Sequence, residues 1–357
     1  MKNKRLLSLH SILGLFIGIF ILALSVSGAL LVFHEEIDAL QRPVIGPTKT
    51  PKAMLTVDSC YRIVQTAYPH ASISSCSMAK NDREAFAFTI YDSSYKNGDK
   101  GLQVFLHPTT GNILQTRGGS EDMRHNFMSW LAAFHSSFHA GKTGEWLLGF
   151  FAVIFVLSLV TGIILYRKNI VATILFKKTV WKKNNLHQLI GTWALLFNLM
   201  IGVTGFWMQR YVFKKDFYKS YDWVNTIKAS PNLFYNFDSA YNQIEKKYPA
   251  FTGYVIYFTQ SKKGKTAIYG SNSTNAFIHS KKFADVVFLD STGATAKTRF
   301  INEISADDRY DIINSQLHMA RYGGAPIKII YSCFGISSAI LSITGFLLWR
   351  RRKRNSR

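Results

Sequence analysis

Leu186-His187-Gln188-Leu189-Ile190-Gly191, running on to Thr204-Gly205, places an imidazole at the mouth of an apolar segment as long as a bilayer-crossing helix. The same pattern occurs once earlier, where Leu9-His10-Ser11-Ile12-Leu13-Gly14 leads to Ser27-Gly28. The spacings agree: His10 precedes Gly28 by 18 residues, and His187 precedes Gly205 by 18. Two histidines at equivalent points of two membrane helices point to a ligand held between them.

Four mainly apolar runs surround and repeat this stretch: Leu6–Phe33, Trp146–Tyr166, Leu186–Met208 and Ile327–Trp349. Each has roughly 20 residues or more, enough to cross about 30 Å of hydrocarbon at 1.5 Å per residue. Apart from Lys328 at the edge of the last, none contains Asp, Glu, Lys or Arg. Ordered flanking charge separates these runs from the buried helices of a soluble protein. Lys2, Lys4 and Arg5 precede the first run. Arg167, Lys168, Lys177, Lys178, Lys182 and Lys183 link the second to the third, and Arg350, Arg351, Arg352, Lys353, Arg354 and Arg357 follow the fourth. No acidic residue lies in these three segments, so the positive-inside rule places all of them, both termini included, in the cytoplasm. The net charge of +22 is therefore a topology signal. It does not imply nucleic-acid binding, since the basic runs carry no recognition fold. The first run is too long for the apolar core of a signal peptide and reads as a retained helix. Trp130, Trp146, Trp207, Trp223 and Trp349 stand near helix ends as interfacial anchors.

The two long segments between runs share one plan. In the first, Leu55–Tyr68 is an amphipathic helix stopped by Pro69, followed by strand-like Ala85–Tyr91, Gly101–Leu106 and Ile113–Thr116. In the second, Phe237–Tyr248 is a helix stopped by Pro249, followed by Tyr254–Thr259, Thr266–Tyr269 and Ala284–Leu289. Turn glycines Gly111 and Gly293 correspond, 182 residues apart. Thr161-Gly162 answers Thr344-Gly345 at an offset of 183, and the same offset carries His135 onto His318. Each of these two histidines has a glycine six residues later, Gly141 and Gly324. The chain reads as a duplicated unit of helix, outer segment and helix.

The expected fold is a membrane α-helical bundle of four transmembrane helices with internal duplication, carrying two small α+β extracytoplasmic domains. The helices are at 6–33, 144–166 (with a helical lead-in from about 126), 186–209 and 326–349. The outer domains are at 35–125 and 210–317, the basic loop at 167–185 and the basic tail at 350–357. Cys60 and Cys76 share the first outer domain, where an oxidising space would let them pair.

Four of the ten histidines thus form two pairs, His10 with His187 on the cytoplasmic side and His135 with His318 on the outer side. Imidazole in hydrocarbon is costly unless partnered, which makes such residues functional candidates. A bis-imidazole haem suits each pair, with one ring nitrogen of each histidine on either face of the iron. Gly14 and Gly191, four residues after His10 and His187 on the same helical face, would leave clearance for a porphyrin. His34 and His139 are second-rank candidates for the outer site; at their repeat positions stand Tyr211 and Tyr322. No Asp or Glu lies inside an apolar run, which argues against a carboxylate-rich metal site and against a metal-transport path.

The patterns Leu-His-x-x-x-Gly with [Ser/Thr]-Gly, Phe-His-x5-Gly with Thr-Gly, and Thr-Gly-Phe-Leu-Leu-Trp before a basic tail resemble the PepSY-associated transmembrane family. The turns Pro108-Thr109-Thr110-Gly111 and Asp290-Ser291-Thr292-Gly293 look like those of PepSY domains. Ser27 stands where threonine is usual, and His107 where Asp or Asn often precedes the turn. The resemblance implies an iron-regulated inner-membrane protein. Some family members are di-haem reductases of iron–siderophore complexes. It therefore implies two haem b groups and electron transfer to an outer ferric chelate. This chain shows no glycine-rich dinucleotide loop, so its donor is expected to be a separate cytoplasmic reductase or a membrane quinol. The alternative is a peptidase-regulating or peptide-binding membrane protein without redox activity, since PepSY domains have been assigned such roles.

Overall fold

The computed structural model of the chain describes residues 2–46, 53–95, 101–177, 186–215, 217, 235–259, 264–272 and 278–355. Lys178, Lys182, Lys183, Trp223 and Arg357 lie outside the described residues. In chain order the first half comprises α1 (Lys2–Leu31), α2 (His34–Ala39), α3 (Val57–Ala67), β1 (Ser72–Ser77), β2 (Phe86–Tyr91), β3 (Leu102–Leu106), β4 (Ile113–Gly118), α4 (Phe127–Ser137), α5 (Gly141–Tyr166) and α6 (Ile170–Ile174). The second comprises α7 (Leu186–Trp193), α8 (Leu195–Gln209), α9 (Phe237–Lys247), β5 (Thr252–Tyr257), β6 (Thr266–Ser271), β7 (Asp285–Leu289), β8 (Thr295–Arg299), α10 (Ala306–His318) and α11 (Gly324–Asn355). These elements form two compact units, one of Met1–His34, Ala132–Tyr218 and Asn314–Arg357, the other of Glu35–Leu131 and Lys219–Ile313.

The first unit is helical. α1, α5 and α11 are each long and apolar enough to cross a membrane. Proline is absent from α1 and α5, and the one in α11, Pro326, sits in the first turn where its missing N–H costs nothing. The run from Leu186 is not straight. α7 and α8 meet at a 64° bend, and together they make a fourth crossing if the pair counts as one span. No proline or glycine occupies the break. Thr192, just before it, donates its hydroxyl to Gln188 O at 2.8 Å. The packing closes a ring: α1 lies against α5 and α11, α8 against α5, and α7 against α11. α4 and α10 each turn sharply into the following long helix. Gly141 and Gly324 make that turn at φ +52° and +63°, which accounts for a glycine six residues after each histidine.

The second unit is built on one antiparallel sheet of order β4-β3-β2-β1-β5-β6-β7-β8. The two halves join through β1 and β5, with Cys76 opposite Ile256. α3 and α9 cover a core that includes Val64, Phe88, Val104, Phe237, Ile244 and Ile256. Their N-termini cap each other. The Asp58 carboxylate accepts the Phe237 and Asp238 N–H groups at 3.1 and 2.8 Å. The Asp238 carboxylate accepts those of Val57 and Asp58, both at 3.0 Å. Each negative charge thus sits on the positive end of the other helix. Cys60 and Cys76 are separate free thiols in this core, and burial pushes the Cys60 thiol up to about 12.

Two strands escape a sequence pattern. β1 reads Ser-Ile-Ser-Ser-Cys-Ser, yet it is central, with Ile73 and Cys76 buried. β8 is a polar edge strand with no apolar face to announce it.

Candidate histidine-pair site

The helical unit brings four histidines into one repeated arrangement. Each [Ser/Thr]-Gly dipeptide receives a histidine from another helix. His10 of α1 lies on α5, with Nδ1 3.1 Å from Ser158 O and 3.0 Å from Thr161 Oγ1. His187 of α7 lies on α11, with Nδ1 3.1 Å from both Leu341 O and Thr344 Oγ1. His135 of α4 lies on α1, with Nδ1 2.8 Å from Ser27 Oγ. His318 of α10 lies on α8, with Nδ1 2.9 Å from Thr204 Oγ1.

The protons in these contacts can be assigned. A carbonyl oxygen only accepts, so Nδ1 of His10 and of His187 carries the hydrogen. The hydroxyls give the same answer. Thr161 donates to Ser158 O at 2.8 Å, Thr344 to Ile340 O at 2.7 Å, Thr204 to Met200 O at 2.7 Å and Ser27 to Leu24 O at 3.2 Å. With its one proton used on its own helix, each hydroxyl offers a lone pair and accepts from Nδ1–H. All four imidazoles are thereby held as the Nδ1–H tautomer, leaving Nε2 as a lone-pair donor. A metal-ligating histidine is oriented in this way by the groups around it.

The glycine of each dipeptide lets the ring lie against the helix. A Cβ on Gly28 or Gly205 would come within 3.0 Å of Cε1 of His135 or His318. One on Gly162 or Gly345 would come within 3.3 Å of Cε1 of His10 or His187. The other two glycines face differently: a Cβ on Gly14 would lie 4.0 Å from Ser158 Oγ, and one on Gly191 3.5 Å from Leu341 Cδ2.

The ring centres of His10 and His187 are 6.2 Å apart, with planes at 74°. His135 and His318 are held in the same way, on Ser27 of α1 and Thr204 of α8. Among the described residues no three of His, Cys, Asp or Glu converge on a metal position. Each pair brings two imidazoles together, a donor set that would suit a metal already carrying most of its own ligands. The residues fit haem.

The remaining histidines do other things. His139 stands in the α4–α5 turn at φ +57°, its ring 6.3 Å from that of Phe134. His34 begins α2. In the sheet unit, His107 accepts from Thr109 N within its own turn, His125 contacts Asp122, and His279 Nε2 donates to the buried Asp285 carboxylate at 3.1 Å.

Sequence reasoning missed the four hydroxyls as histidine partners, although their signal was present. The fixed distance from histidine to [Ser/Thr]-Gly reflects two roles of each repeated segment, a histidine given to one site and a histidine received at the other. It also missed Asn198, buried in α8 with 2% exposure.

A family model described as the PepSY-associated TM region matches residues 7–352, nearly the whole chain. No curated protein shows significant similarity to it.

Proposed function

The chain belongs to the PepSY-associated transmembrane family, and from that membership and the histidine geometry we propose a di-haem b-type membrane protein. It passes electrons across the cytoplasmic membrane and reduces a ferric chelate of the siderophore type on the far side. The observation that carries this reading is the Nδ1–H lock on all four histidines, with the His10 and His187 rings 6.2 Å apart.

Bound haem would supply a one-electron couple at each pair. The chain's own work is to hold Nε2 of His10 and His187 at one site and of His135 and His318 at the other. It also surrounds both with apolar helices, which limits solvent access. No residue need act as acid or base. The positive-inside rule supports cytoplasmic termini, and with that topology the His10–His187 pair would take the electron in and the His135–His318 pair would give it out. The donor is a separate cytoplasmic reductase or a quinol. A quinol would release two electrons and two protons and so reduce two ferric ions. Each Fe(III) becomes Fe(II), whose lower charge weakens oxygen-donor chelation and frees the metal.

The test is a reduced-minus-oxidised spectrum with haem-to-protein stoichiometry on the full chain. Two haems per chain are expected, and one in His10→Ala or His135→Ala. Protein without haem absorbance, unchanged by either substitution, would sink the reading.

A further inference from the structure

α8 carries an amide where a membrane helix should least tolerate one. Asn198 is 2% exposed. Ser337 and Ser338 of α11 donate to its Oδ1 at 3.2 and 3.0 Å, which fixes the orientation of the amide. Its Nδ2 has no hydrogen-bond partner among the described residues. A buried donor left unpaired is costly, and more so in hydrocarbon.

Packing does not require this cluster. The repeat offsets map Asn198 onto Ile21, Ser337 onto Ile154 and Ser338 onto Phe155. Those residues form or pack against a small apolar core, together with Ile17 and Phe151. One half of the bundle is thus closed with hydrocarbon where the other spends three polar side chains. The position is also particular. Asn198 stands six residues before Thr204, which holds His318, about 9 Å along the helix. Ser337 and Ser338 stand six to seven residues before Thr344, which holds His187, about 9–10 Å away. The amide therefore lies between the two histidine-holding layers.

We propose that Asn198 is a tuning residue for the electron path: held by Ser337 and Ser338, it presents the positive end of a fixed dipole between the two histidine pairs. This rests on the di-haem reading. An N–H dipole in a low-dielectric interior favours the reduced state, which carries one more negative charge. No proton or bond moves. The residue shifts the free energy of the electron on its way from the donor to the ferric ion.

The experiment is an equilibrium redox titration of the full-length protein in lipid nanodiscs, followed by its visible spectrum. The variants are Asn198→Leu, which keeps the volume and removes the dipole, and a Ser337→Ala/Ser338→Ala double substitution, which keeps the amide and frees its orientation. The midpoint potential of at least one haem is expected to fall in Asn198→Leu, with both haems retained, and to fall less in the double variant. Should Asn198→Leu fail to assemble, the double variant alone decides. Midpoints equal to or above those of the wild type, with two haems bound, overturn the proposal and leave the di-haem reading standing. A wild-type protein without haem overturns both.

Discussion

A hydroxyl and a glycine, side by side, do two jobs for each histidine. The hydroxyl spends its proton on its own helix and accepts from Nδ1, so it selects a tautomer. The glycine removes the one atom that would push the ring away. The two kinds of pair differ in tightness, which makes a graded prediction possible. Gly28→Ala and Gly205→Ala put a methyl 3.0 Å from an imidazole carbon, against 3.3 Å for Gly162→Ala and Gly345→Ala. The first two should displace His135 or His318 and lower haem occupancy at that site by roughly ten-fold, the range seen when a group orienting a metal-bound histidine is lost. The second two should have a smaller effect. Occupancy by pyridine haemochrome assay across the four variants checks the order, and equal losses at all four would refute it.

At the scale of elements, the sheet unit offers a test independent of any cofactor. α2 is tied to β4 through Asp38 and Arg117, 2.7 Å apart with side chains 2% and 1% exposed. Arg117 also donates to Gln103 Oε1, and Arg42, which is 46% exposed, contacts the other Asp38 oxygen. Burial alone would raise the Asp38 carboxyl, but Arg117 and then Arg42 outweigh it and hold it below the usual carboxylate range. The sign follows. A lowered carboxyl contributes stability that is present above its unfolded value of about 3.9 and is lost as pH falls through the lower folded value. Asp38→Ala should cost about 3–5 kcal/mol at neutral pH by stranding a buried guanidinium. Arg42→Ala should cost about 1 kcal/mol or less. Thermal melts from pH 7 down to pH 2 should show the wild type beginning to lose its advantage over Asp38→Ala only below about pH 4. Parallel curves would contradict the assignment.

Elements also show what a sequence can disclose. The long helices and the duplication were legible because apolar length and fixed spacing survive without any knowledge of packing. The His135–His318 equivalence was legible for the same reason. The bend at Ala194 was not, since no proline or glycine stands at the break to signal it. β1 was hidden because four serines mask its two buried apolar side chains, and β8 because an edge strand needs no apolar face. Asn198 was passed over because a single amide in an apolar run has no spacing partner; only its burial and its serine contacts single it out.

On the scale of the helical bundle, the duplication sets two sites at opposite ends of α1. α1 gives His10 to one site and the Ser27 hydroxyl to the other, 17 residues apart, or about 25 Å at 1.5 Å per residue. That separation nearly spans the ~30 Å of hydrocarbon, so on the proposed di-haem reading an electron at one end would be close to one aqueous face and far from the other. The two sites share α1 but no ligand, and they should therefore fail separately. His318→Ala removes a nitrogen from the His135 site and leaves the His10, Thr161, His187 and Thr344 contacts intact. In proteoliposomes with the reductant enclosed on the side of the basic segments, this variant should retain one haem that still reduces. Its transfer to an external ferric chelate, read by a ferrous-specific chromophore, should fall by at least a hundred-fold. His10→Ala should do the opposite, keeping one haem that the enclosed reductant no longer reaches. If either variant loses both haems while its fold persists by circular dichroism, the sites are one cooperative unit and the serial path is wrong.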